Sequence, residues 1–229
     1  MSNSITVAHP ESQAEQLFLL FHGVGSNAQD LVPMGHRLST AFPRAFIVSV
    51  QAPYPSDFGS GFQWFSVRDV TEDNRVQRVR EAMPAFVETV QAWQKEAHVD
   101  VARTVLIGFS QGAIMALEST RNASRLSGRV AAIAGRFAQL PTKSAPGTVV
   151  HFFHGKRDLV MPYTRTLEAA EHIAALGGDV TADILPLAGH EANAEIITLL
   201  IERLQNPDPT RGPGDAGGAS PTAAPKNCD

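Results

Sequence analysis

At 229 residues the chain can bury a sizeable core in one domain and leaves little room for a second. Its 43% hydrophobic and 18% charged content, with a dispersed net charge of −4, suits a globular protein and gives no reason to expect nucleic acid or anionic lipid as a partner. The one cysteine, Cys228, excludes an intrachain disulfide and a Cys/His zinc site, and no run approaches the roughly 18 apolar residues of a membrane span.

Residues 1–16 are polar and lack the basic and apolar regions of a signal peptide, so a cytoplasmic location without stable membrane anchoring is expected. Ser4 to Ala8 alternates like a short edge strand. Leu17 to Phe21 is continuously apolar, the pattern of a strand buried on both faces, and it runs into His22-Gly23-Val24-Gly25-Ser26-Asn27. A small-residue loop there would bring bare backbone N–H groups to the carboxyl end of the strand, where open α/β sheets bind ligands.

Leu31, Met34, Leu38 and Ala41 have helical spacing, which predicts a helix over Asp30 to Ala41, and Ala45 to Val50 reads as the next buried strand. Residues 51–61 form a Pro-, Ser- and Gly-rich loop. The aromatic patch Phe62-Gln63-Trp64-Phe65 behind it either tucks onto the core or walls a substrate pocket. Glu72 to Glu96 is a long amphipathic helix, expected to bend near Pro84, with Arg75, Arg78 and Arg80 read as its solvated face.

The stretch Thr104 to Gly112 carries the most information. A β-branched run feeds Gly108-Phe109-Ser110-Gln111-Gly112, and the helix formers Ala113 to Leu117 follow at once. Strand, sharp turn and helix with a serine at the turn is a nucleophile elbow, in which glycines two residues either side relieve crowding around a strained backbone. Further strands are expected at Val130 to Ala134, Thr148 to Phe153 and Val180 to Leu185, with helices at Thr164 to Leu176 and Glu191 to Leu204. This alternation argues a mostly parallel sheet with helices on both faces, an α/β fold in one domain over residues 1–205 with no large lid. Residues 206–229 contain five prolines and four glycines but no Val, Ile, Leu, Met or aromatic residue, and are expected to be a disordered tail.

If Ser110 is a nucleophile it needs a base, and the base an orienting carboxylate. Of the eight histidines, His190 stands in the loop after the Val180 to Leu185 strand and immediately before a helix, at the same sheet edge as Ser110. His151 and His154, three apart in one strand, face opposite ways and do not make a metal pair. Asp158 follows the strand ending at Phe153, whereas Asp183 lies within a strand and Asp179 at its wrong end. The order Ser110, Asp158, His190 is that of the α/β-hydrolases. Backbone N–H groups of Gln111, at the start of the elbow helix, and of Val24 are the candidate oxyanion donors. His22 is read as a brace for the Val24 loop, and Trp64, Phe65, Met161 and Met34 as apolar pocket walls.

His-Gly-Val-Gly at 22–25, Gln-Trp-Phe at 63–65, Gly-Phe-Ser-Gln-Gly at 108–112, His-Gly-x-x-Asp at 154–158 and Gly-His-Glu at 189–191 together resemble the phospholipase/carboxylesterase family of small α/β-hydrolases, over roughly residues 17–204. The resemblance implies Ser110, Asp158 and His190 as a triad, with Val24 and Gln111 as oxyanion donors. It also implies hydrolysis of small or exposed carboxylic esters or thioesters through an acyl-enzyme, with no cofactor and no metal. Acyl-protein thioesterases usually carry Leu-Gly-Asp after His-Gly; Val-Gly-Ser-Asn here directs the reading to the bacterial carboxylesterase branch. Lysophospholipase, acyl-protein thioesterase and acyltransferase chemistry would use the same groups, and a silent hydrolase-fold binding protein is the non-enzymatic alternative. A small-molecule acyl substrate and a monomer or homodimer are the expected partners.

Overall fold

The computed structural model describes residues 3–206; the predicted tail, apart from its first residue Asn206, lies outside the described residues. Seven strands form one sheet in the order β1-β3-β2-β6-β7-β8-β9. They are β1 (Ile5–Ala8), β2 (Gln16–Phe21), β3 (Ala45–Val50), β6 (Thr104–Phe109), β7 (Arg129–Ile133), β8 (Val149–Gly155) and β9 (Val180–Leu185). Only β1 runs antiparallel, against β3; every other pairing is parallel. A short antiparallel pair, β4 (Tyr54–Pro55) and β5 (Phe62–Gln63), stands apart.

Leu17, Phe18, Leu19, Leu20 and Phe21 are all fully buried because helices cover both faces of the sheet. The alternate residues Leu17, Leu19 and Phe21 join one core with α2 (Glu72–Ala97), α3 (Gln111–Ser119) and α4 (Thr164–Ala175). Phe18 and Leu20 join the other with α1 (Val32–Ala41) and α5 (Ala194–Gln205). No helix among the described residues is long and apolar enough to cross a membrane.

Element ends differ from the sequence reading by a few residues in several places, and three of the differences have a clear local reason. The segment expected as one helix from Asp30 is a 3-10 turn, Ala28–Leu31, capped by Asn27, with α1 beginning only at Val32. Pro33 lacks an N–H and has a preset φ, which suits a helix's first turn and not its interior. The last helix starts at Ala194 and not at Glu191, because the Asn193 side chain accepts the Ile196 N–H at 3.0 Å. That cap leaves His190 in a loop. Ala134 falls outside β7 with φ +48°, turning the chain at the strand's carboxyl end. Helix α2 continues through Pro84, which sits on its exposed side.

Candidate active site

Parallel strands entering one sheet place their following loops along one edge, and the loops after β2, β6, β7, β8 and β9 meet there. Ser110 sits between β6 and α3 with φ +52° and ψ −113°, a conformation that residues other than glycine rarely adopt. Its backbone N–H is held by the Ile133 carbonyl at 2.9 Å, so the turn is anchored to β7. The glycines are required by approach: a Cβ on Gly108 would lie 2.4 Å from the Ala113 nitrogen, and one on Gly112 would lie 2.2 Å from the Phe21 carbonyl oxygen.

The Ser110 hydroxyl donates to His190 Nε2 at 3.0 Å, and His190 Nδ1–H donates to Asp158 Oδ2 at 2.7 Å. Asp158 Oδ1 accepts the backbone N–H groups of Val160 and Met161, each at 2.8 Å. Burial alone would raise the Asp158 carboxyl, but these amides and His190 outweigh it and hold the group below its ordinary range. The carboxylate therefore stays charged and fixes His190 in the Nδ1–H tautomer, leaving the Nε2 lone pair for the serine. The Phe109 ring lies against the His190 ring at 5.1 Å between centroids, and Glu191 accepts the Gly189 N–H, bracing the loop.

His154 is fully buried on the far side of Asp158. Its Nε2 lies 2.9 Å from the Met161 carbonyl, which can only accept, so Nε2 carries the proton and also donates to Asp158 Oδ2 at 3.1 Å. Nδ1 accepts from the Thr166 hydroxyl at 2.7 Å. Burial depresses its pKa, and the neutral ring supports the aspartate with no path to Ser110. His22 is neutral for the same reason. Its Nδ1–H donates to the Gly23 carbonyl and its Nε2 accepts the Ala52 N–H, so it ties the Val24 loop to the chain after β3.

Val24 and Gln111 both line the cavity that contains Ser110. Among the described residues the Val24 N–H has no backbone or side-chain acceptor. Gln111, as the first residue of α3, belongs to the helix-start N–H groups without an intrahelical partner. The Gln111 side chain has a function that sequence did not suggest: Oε1 accepts the Trp64 N–H at 2.8 Å and Nε2 donates to the Phe65 carbonyl at 2.7 Å. It clamps the Trp-Phe loop to the elbow.

The aromatic patch divides. Trp64 packs in the core against Phe21 and Phe86, donates Nε1–H to the His22 carbonyl, and does not line the Ser110 cavity. Phe65 and Met161 do line it, in a space of about 290 Å³ with Ile114, Val160 and Pro162. Met34 belongs to the opposite core and is no wall of this site. Arg75 corrects the reading of a solvated face: its side chain is 17% exposed, pairs with Glu72, and lines the Ser110 cavity. A wider cavity of about 640 Å³ lies elsewhere between α2 and α3, away from Ser110. No group of three or more His, Cys, Asp or Glu side chains among the described residues is placed to hold a metal.

The rival acid Asp183 forms a two-bond ion pair with Arg203 and is thereby removed from the site. His151, on the opposite sheet face from His154, hydrogen-bonds the Thr181 hydroxyl through Nδ1, and its buried Nε2 has no partner. Burial and the neighbouring Arg129 and Arg203 lower its pKa from 6.5 to about 4. The unfolded chain protonates this ring as pH falls below 6.5, while the folded chain keeps it neutral down to about 4. Stability is expected to fall across that window by on the order of 3 kcal/mol from this group alone. In His151→Phe the urea midpoint should vary less between pH 6.5 and 4 than in the parent, and an unchanged slope would remove His151 as the cause.

Comparison with known proteins shows the family of the chain. The profile of the Phospholipase/Carboxylesterase family matches residues 2–206. Esterase YpfH of Escherichia coli K12 is 43% identical over 199 residues, covering 87% of this chain and 86% of the relative. Among solved structures, esterase PE8 superposes with a TM-score of 0.75 at 25% identity, over 86% of this chain and 95% of the other. The carboxylesterase from Mesorhizobium loti has the same fold, with a TM-score of 0.74 at 18% identity, over 90% of this chain and 100% of the other.

Proposed function

The chain belongs to the phospholipase/carboxylesterase family of α/β-hydrolases and is a hydrolase of carboxylic ester bonds, and from that premise we propose that it is a serine carboxylesterase working through Ser110, His190 and Asp158. The observation that carries this reading is the unbroken chain of hydrogen bonds from Asp158 through His190 to a serine held at positive φ.

His190 Nε2 takes the Ser110 proton as Oγ attacks the ester carbonyl carbon, and the oxyanion forms against the N–H groups of Val24 and Gln111. Collapse of the tetrahedral intermediate breaks the bond to the leaving alkoxide, which receives the proton from His190. Water then attacks the acyl-enzyme, again giving its proton to His190, and the acid departs as Ser110 is reprotonated. Asp158 stays ionised throughout and stabilises the imidazolium that forms at each step. Thioesters fit the same cycle with a thiol leaving group.

The cavity volume of about 290 Å³ and its apolar walls suit a short acyl or alkyl group. The test is labelling with a fluorophosphonate probe followed by peptide mapping: the adduct is expected on Ser110, and short p-nitrophenyl esters should be hydrolysed. A protein that neither labels at Ser110 nor turns over such esters is not a serine esterase.

A further inference from the structure

The cavity at Ser110 is not uniformly apolar. Its charged lining residues are Glu72, Arg75 and Arg136, so two cations against one anion leave a net positive end to a pocket that otherwise presents Phe65, Val67, Val70, Ile114 and Met161. Arg75 comes from the first turns of α2, and Arg136 from the turn after β7. Gly135 draws that turn inward: a Cβ there would lie 2.3 Å from the Ala113 side chain, so only glycine lets the chain pass α3 and deliver Arg136 to the cavity.

Both arginine side chains are largely withdrawn from water, at 17% and 11% exposure, yet share a single carboxylate. Arg136 donates to both Glu72 oxygens at 2.7 Å and Arg75 to one at 3.0 Å; among the described residues neither guanidinium has another hydrogen-bond partner. Other arginines of the chain are differently served. Arg78 donates to the carbonyls of Ser66, Arg68 and Asp69, and Arg121 pairs with a buried Glu118 and also with Gln139. Glu72 is 65% exposed, and a carboxylate mostly in water holds its partners weakly. Most of the ten N–H donors of the two forks remain unused, in the geometry that recognises a carboxylate by two parallel bonds.

We propose that Arg75 and Arg136 form an anion subsite of the substrate pocket, so that the favoured substrates are esters carrying a carboxylate a short apolar distance from the scissile bond, as in the half-esters of dicarboxylic acids. Glu72 occupies the arginines in the empty pocket and swings toward solvent, or shares them, when a substrate carboxylate enters. This specificity rests on the serine esterase reading; the anion subsite itself does not.

The experiment compares monoethyl adipate with ethyl hexanoate, two ethyl esters with chains of equal length, one ending in a carboxylate and the other in a methyl group. Hydrolysis is followed by proton release at pH 7.5 with the full chain. The ratio of kcat/KM values, anion over neutral, is expected to be about tenfold or more, to fall toward one in Arg75→Gln/Arg136→Gln, and to rise by roughly threefold in Glu72→Gln, which removes the internal competitor. Because each ratio is taken within one protein, a general loss of active enzyme cancels, and the opposite sign for Glu72→Gln is not produced by damage to the fold. Calorimetric binding of adipate to Ser110→Ala, with and without the two arginines, reads the subsite apart from the chemistry.

Arginine-dependent adipate binding with neither ester turned over would retain the subsite and remove the esterase reading. Turnover of both esters with a ratio at or below one, or a ratio indifferent to the arginine substitutions, would remove the subsite and leave the esterase reading in place.

Discussion

Ser110→Ala is expected to lower kcat/KM for p-nitrophenyl butyrate by about 10⁴-fold or more, with the protein otherwise unchanged in fold and melting temperature. Only the hydroxyl of a buried residue is lost, and its one hydrogen bond is to His190 Nε2, so little packing goes with it. His190→Ala should fall to a similar level, and the double variant little further, because nucleophile and base act as one unit. His154→Ala separates the two histidines that touch Asp158. It removes one donor to Oδ2, while the Val160 and Met161 amides and His190 still hold the carboxylate, so a loss of roughly 10–100-fold is expected. Stopped-flow or plate assays of the four proteins decide the matter. A collapse of His154→Ala to the Ser110→Ala level, with His190→Ala unharmed, would move the base to the other ring.

The contrast between what sequence did and did not reveal follows the range of the interactions. Ser110, Asp158 and His190 each stand just beyond a recognisable strand, and parallel pairing of β6, β7, β8 and β9 carries the strand ends to one edge. Their proximity thus follows from local pattern plus a general rule of sheet topology. Glu72 and Arg136 are 64 positions apart, one in a helix start and the other in a turn, and nothing local tells that both side chains enter the same cavity. Arg75 was hidden differently, since at helical spacing beside Arg78 it looks like part of a charged face, and only its pairing with Glu72 and its place in the cavity lining set it apart. Trp64 and Phe65 are adjacent and alike in burial, and tertiary contacts such as the Gln111 clamp, the Phe21 and Phe86 rings and the His22 carbonyl decide which of them faces the cavity.

Gly112→Ala is expected to destabilise the protein by about 3 kcal/mol or more, lowering the melting temperature by roughly 10 °C, or to leave it insoluble. The added methyl would stand 2.2 Å from the Phe21 carbonyl oxygen, 2.6 Å from its carbon and 2.8 Å from the His22 carbonyl oxygen. These are backbone atoms of the interior strand β2 and of the loop after it, not ends of flexible side chains, so relief requires α3 or β2 to move. Either movement breaks something at the site: shifting α3 displaces Ser110 and the Gln111 N–H, and shifting His22 carries the Val24 N–H away from them. Residual soluble protein should therefore lose activity beyond its loss of stability. Gly189→Ala is the matched control, since it adjoins His190 and yet its Cβ would meet nothing nearer than the Arg157 carbonyl oxygen at 4.0 Å. Its melting temperature should stay within about 2 °C of the parent. Equal melting curves for the two alanine variants would show that the close approach of β2 and α3, on which the placement of both proposed oxyanion donors depends, is not the constraint that keeps residue 112 a glycine.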